Sequence, residues 1–122
     1  MGTAAEHEEK AIHHLEFLGE ISDRHPDWLA TVAFYAAVEL VERLLAQYGV
    51  HSQSHEDRNR AVLRRYPSIA RAYKVLYGAS LDARYESISS WMPIEEVHRE
   101  LMDRHLQHIR SFVESHTGTT HD

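Results

Sequence analysis

Residues 26–49, PDWLATVAFYAAVELVERLLAQYG, decide how the rest of the chain must be read. Apolar side chains fall on nearly every side of a helical wheel through this stretch, which marks a helix covered by neighbours all round. Its polar residues Thr31, Tyr35, Glu39, Glu42 and Arg43 form one stripe. Three of them, Glu39, Glu42 and Arg43, interrupt the apolar run 28–46, so the stretch reads as a core helix and not as a membrane span. Pro26 suits the first helical position, where its missing N–H costs nothing, and Gly49 suits the left-handed residue just past the end. A helix from about Pro26 to Tyr48 at the centre of a bundle is the expectation.

The flanking sequence supplies the shell. Ala11, Ile12, Leu15, Leu18 and Ile21 keep a helical spacing within a first helix expected over about Ala4 to Asp23. After the loop GVHSQS, Ser54 with Asp57 three residues on resembles a capping box and opens a short helix over about 55–65. Pro67 starts a helix running to about Tyr85, and Pro93 starts one running to about Ser115. The segment ESISSWM, residues 86–92, reads as a connector. No alternating stretch and no Asn-Gly or Asp-Gly turn suggests a hairpin. The fold class is therefore all-α: an up-and-down antiparallel bundle of four long helices and one short one, a single domain over 1–116 with a flexible tail at 117–122.

Composition narrows the chemistry. The chain has 122 residues, 13 Lys+Arg, 19 Asp+Glu, 11 His and no Cys. The formal charge is −6 with histidine neutral and would reach −6 + 11 = +5 with every histidine charged. Without cysteine there is no disulfide scaffold, no thiolate zinc site and no cysteine nucleophile. A chain of this size buries roughly 70% of its unfolded surface and needs no staple. Net acidity argues against a bulk electrostatic nucleic-acid binder but leaves room for a local basic patch. The acidic start MGTAAEHEEK is unlike a signal peptide, and a cytoplasmic protein is expected. No dinucleotide, phosphate-loop, esterase or metalloprotease motif occurs.

Three constellations can carry chemistry, and each also has a purely structural reading. On a straight α-helical wheel His98, His105 and His116 fall near the middle of the last helix's apolar face, with His108 inside its edge. They are either hydrogen-bonded core or dimer-seam histidines, or the lining of a polar cleft. The spacing H-x3-H-x2-R joins His51, His55 and Arg58; on the short helix His55 and Arg58 lie one turn apart and face the central helix, with Glu39, Glu42 and Arg84 as candidate partners. This is either a buried ion-pair network or an anion or nucleotide pocket. A divalent ion on His51, His55 and a glutamate is a weaker alternative, and no cofactor is expected. Arg99 and His105 have the spacing R-x5-H, in which His acts as base towards a 2′-OH and Arg steadies the phosphorane in metal-free RNA cleavage. Residues six apart are about 120° apart on a straight helix, so this pair meets only through a kink or across a dimer. Otherwise Arg99 is an exposed ion-pair partner of Glu95 or Asp103. Arg60, Arg64, Arg65 and Arg71 form the one local basic run suited to phosphate, which otherwise balances the neighbouring acids. His7, His13, His14, His25 and His121 read as ordinary.

The aromatic-rich AFYAA helix, the G-x-H-x3-H-x2-R turn and the late Y-x2-L-x3-S-x2-ARY segment together resemble small bacterial and archaeal proteins of the HEPN superfamily, over about residues 27–85. The resemblance implies a four-helix bundle with a short extra helix and a homodimer. It implies either a metal-independent endoribonuclease of a toxin or phage-defence system, or a non-catalytic nucleotide-binding or dimerisation module partnering a nucleotidyltransferase or another protein encoded nearby. The family's RNase motif, R-x4-6-H near the last helix, falls on Arg99 and His105, although Glu100 replaces the usual Asn, Asp or His neighbour. Glu39 stands where relatives often carry His. His51, His55, Arg58, Ser80, Arg84 and Tyr85 match the subgroup pattern.

Overall fold

A computed structural model describes residues 2–85 and 92–117, and these form an all-α bundle with no strand. Helix α1 spans Ala4–Leu18. Thr3 and Glu6 cap it reciprocally: the Thr3 hydroxyl accepts the Glu6 N–H at 3.1 Å and the Glu6 carboxylate accepts the Thr3 N–H at 2.8 Å. The helix stops well before Asp23. Gly19, Glu20 and Ile21 donate to carbonyls three residues back, and Ser22 Oγ then accepts the Arg24 N–H at 3.1 Å. A poor helix former, then a serine whose hydroxyl accepts the backbone N–H two residues on, ends the helix, while Ile21 still packs against the core from the turn.

Helix α2, Pro26–Ala46, has Pro26 at its first position. Beyond it, Gly49 takes φ +72°, its N–H donates to the Ala46 carbonyl at 3.1 Å, and the Val50 N–H donates to the Leu45 carbonyl at 3.1 Å. These two bonds are the paired reversals of a Schellman ending, the role expected of this glycine. Helix α3 spans His55–Arg65 and α4 spans Pro67–Tyr85, the expected bounds. Ser54 Oγ accepts the Asp57 N–H at 3.0 Å, and Asp57, shorter than the usual glutamate, accepts instead from Gln53 N–H at 3.0 Å.

The last helical run departs from expectation. Pro93 caps it from outside, α5 covers only Ile94–Glu96, a π-helical segment π1 covers Val97–Leu106, and α6 covers Gln107–Thr117. The reason lies in the spacing of the inward residues. Val97, Leu101, His105, Ile109 and Val113 are all buried and lie four apart. On a straight α-helix each step of four drifts by about 40°, so the set would wander by about 160°. The wider i→i+5 turns of π1 rotate less per residue and keep the stripe facing inward. Most of the expected connector, 86–91, and most of the expected tail, 118–122, lie outside the described residues.

Helix α2 is the centre, packed against α1, α4, π1 and α6, and α3 packs against α4. Tyr73, Phe34, Leu29, Leu44, Leu45, Ile69, Leu76, Leu101 and Ile109 are the largest fully buried side chains among the described residues. Among the described residues no helix is long and apolar enough to cross a membrane.

Candidate functional site

The Ser54 cap fixes the start of α3 and thereby turns Arg58 towards α2, where Val62 continues the same face into the core at 1% exposure. Arg58 Nε donates to Glu42 Oε2 at 2.5 Å, and both side chains are nearly buried, 12% and 8% exposed. The Tyr73 hydroxyl of α4 lies buried beside this pair, feeling the Arg58 charge without making a hydrogen bond of good geometry. Burial pushes its pKa up to about 12, so it stays protonated. Burial by itself would lower the Arg58 pKa, but Tyr73 and Glu42 more than offset it, and the guanidinium stays charged.

A second arm of Arg58 reaches His55. The contact from Nη1 to His55 Nδ1 is 3.0 Å. A guanidinium has only donors, so Nδ1 must accept and the ring proton of neutral His55 sits on Nε2. The ring is held against Phe34 and Tyr77, with centroids 5.7 and 5.4 Å away. Burial first, then the charges of Arg58 and Arg84, hold the His55 pKa below its ordinary value. Arg84 is placed by its Nε–H donating to the Ser80 carbonyl at 3.3 Å, while the buried Ser80 hydroxyl donates to the Tyr77 carbonyl at 2.7 Å. The result is a neutral imidazole offering an N–H, next to an exposed guanidinium: a pair suited to an anion. It is unsuited to a metal at Nδ1, which already accepts from Arg58.

The other expected members scatter. His51 is half-buried and its Nδ1 has no hydrogen-bond partner. Among the described residues no group of three or more His, Asp or Glu is arranged to hold a metal ion. Tyr85 ends α4 at 81% exposure. Of the two glutamates offered as partners, only Glu42 meets Arg58. Glu39 lies about 60° away around α2 and faces α1, where its carboxylate meets His7 Nδ1 at 2.7 Å. His7, His13, His14, Lys10 and Glu39 line an open groove there. Burial holds His14 below its usual pKa, partly countered by Glu39. Sequence reasoning passed over this group. The signal was that His7 and His14 continue the buried Ala11–Leu18 stripe at helical spacing.

Arg99 and His105 are not bonded to each other within the chain. Arg99 is exposed and bonds its neighbour Glu100 at 3.2 Å, in place of Glu95 or Asp103; Arg104 bonds the same carboxylate at 3.0 Å. Hydrogen bonds from Arg99 and Arg104 hold Glu100 below the usual carboxylate range. Of the four histidines expected on the inner face, only His105 is buried. Because π1 shifts the angular register, His98 instead meets Asp23 at 2.8 Å. His108 donates to the Ser68 carbonyl at 2.9 Å, and His116 stacks on Phe112 with ring centroids 3.9 Å apart. Burial, followed by the charge of Arg104, lowers the His105 pKa. Comparison with protein-family models, with curated proteins and with solved structures gives no match.

Proposed function

We propose that the chain is a HEPN-like module that associates with RNA or nucleotides as a homodimer and holds phosphate at His55 and Arg84 without cleaving it. The observation that supports this reading most is the Arg58 clamp, which fixes His55 as an Nε2–H donor beside Arg84 before any ligand arrives. Donors held in advance lose little freedom on binding. A hydrogen bond to a charged group contributes about 1.5–3 kcal/mol, so losing either donor weakens binding about tenfold or more. The test is calorimetric titration of a single-stranded RNA oligonucleotide into wild type, His55→Phe and Arg84→Ala. Weakening in both variants, with a wild-type affinity that falls as salt rises, is expected. Equal affinities in all three proteins would overturn the reading.

A second reading, cleavage by Arg99 of one protomer and His105 of another, draws support from His105 being buried beside Arg104 and from Arg99 facing outward. It predicts RNA cleavage in chelator that Arg99→Ala and His105→Ala abolish alike. Background cleavage in all three removes it.

A further inference from the structure

A groove of about 390 Å³ runs where α1 and α6 both pack against α2 and barely touch each other. Ala11, Ile12 and Leu15 of α1 and Leu40 of α2 give it an aliphatic floor. Two pairs of opposite charge also line it, Glu8 with Arg43 and Arg110 with Glu114. The second pair is complete: Arg110 Nε donates to Glu114 Oε2 at 3.2 Å, one turn along α6. The first is not. Arg43 Nη2 and Glu8 Oε2 stand 3.6 Å apart, beyond hydrogen-bond reach. The Arg43 side chain is only 7% exposed, yet among the described residues it donates no hydrogen bond. None of its nitrogens is sealed from solvent. The Glu8 carboxylate, on a side chain 39% exposed, accepts no hydrogen bond among the described residues either. A guanidinium has five N–H donors, and polar groups this deeply placed are nearly always paired. Open donors beside an open carboxylate, above an aliphatic floor, are an unmet demand for a ligand that carries both charges.

We infer that this groove binds a free aliphatic α-amino acid, with its carboxylate on Arg43, its ammonium on Glu8 and its side chain on Ile12, Leu15 and Leu40. The two arginines and two glutamates of the lining cancel, so the groove favours a ligand of no net charge. A plain carboxylate would gain Arg43 and be repelled by Glu8, and a plain amine the reverse. An α-amino acid carries its two charges on neighbouring carbons, so each meets its opposite on the adjacent Arg43 and Glu8. The guanidinium fork matches a carboxylate with two parallel hydrogen bonds. Small-molecule sites run from about 300 to 1,000 Å³, and a groove near the lower end suits a single amino acid. Ile12, 47% exposed, is apolar surface that such a side chain would cover. The site stands or falls separately from His55 and Arg84, since neither lines it.

The experiment is titration of the full chain with L-leucine, N-acetyl-L-leucine, L-leucinamide and glycine, followed by amide NMR shifts. Leucine is expected to bind most tightly and to shift residues 8–15, 40–43 and 110–114. The acetylated form lacks the ammonium, the amide lacks the carboxylate and glycine lacks the apolar side chain. Each should bind about tenfold more weakly or worse, the loss of one charged hydrogen bond or of one buried aliphatic side chain. Glu8→Gln should weaken leucine about tenfold and leave the melting temperature nearly unchanged, because the charge it removes makes no hydrogen bond. Arg43→Lys keeps the charge and loses the fork, and should weaken leucine as well; if that variant folds poorly, Glu8→Gln alone decides. No binding of leucine, equal binding of N-acetyl-leucine, leucinamide or glycine, or indifference to Glu8→Gln overturns the proposal.

Discussion

Replacing Arg58 by methionine tests whether the Glu42–Arg58 pair organises this end of the bundle. The substitution keeps most of the side-chain volume and strips the charge from a carboxylate only 8% exposed. Breaking a buried pair from one side costs about 3–5 kcal/mol, because the remaining ion keeps its desolvation penalty and loses its partner. At about 2.1 cal/mol/K per residue, 122 residues give an unfolding entropy near 0.26 kcal/mol/K, so the melting temperature should fall by about 12–19 °C. Both side chains retain slight water contact, which favours the lower end of that range. The double variant Glu42→Met/Arg58→Met removes both charges and should recover most of the loss, since an apolar pair of similar volume is often neutral or better. Urea and thermal unfolding followed by circular dichroism at about pH 7.5, arranged as a double-mutant cycle, give the coupling. A single variant within about 1 kcal/mol of wild type, or a double variant no more stable than the single, would refute the claim that this pair is buried and interdependent.

Two further outcomes follow from the backbone and the histidines. Gly49→Ala forces a side chain into φ +72° and should cost about 1–2 kcal/mol. Gly78→Ala, inside α4 with open space where the methyl would go, should gain about 0.5–1 kcal/mol; opposite signs in chemical denaturation check the pair, and equal signs refute it. His14, His55 and His105 all have folded-state pKa values below the ordinary histidine value, each mainly through burial. The unfolded chain therefore binds their protons more readily, and stability is intact above about pH 6.5 and is lost as pH falls through the lowered folded values. Melting temperature should drop between about pH 7.5 and pH 5.5, and His105→Met should flatten that slope; an unchanged slope removes His105 as a contributor.

The sequence by itself determined the all-α class, the central placement of α2 and the bounds of α3 and α4. These rest on local facts: apolar periodicity, proline at helix starts, and a glycine whose left-handed conformation closes α2. It also put Arg58 and Glu42 within reach of each other, because residue spacing on two neighbouring helices limits which side chains can meet. Only the tertiary structure decided that Glu39 turns to His7 while Glu42 turns to Arg58. Three residues along one helix separate their directions by about 60°, and that is enough to give each a different neighbour. Only the packing decided that the last helix widens into a π segment. The four-residue spacing of Val97, Leu101, His105, Ile109 and Val113 stands in the sequence, but a uniform α-helical wheel puts four histidines on the inner side. Burying that stripe against α2 and α4 outweighed the regular α-helical register. Of those four histidines, the core kept one.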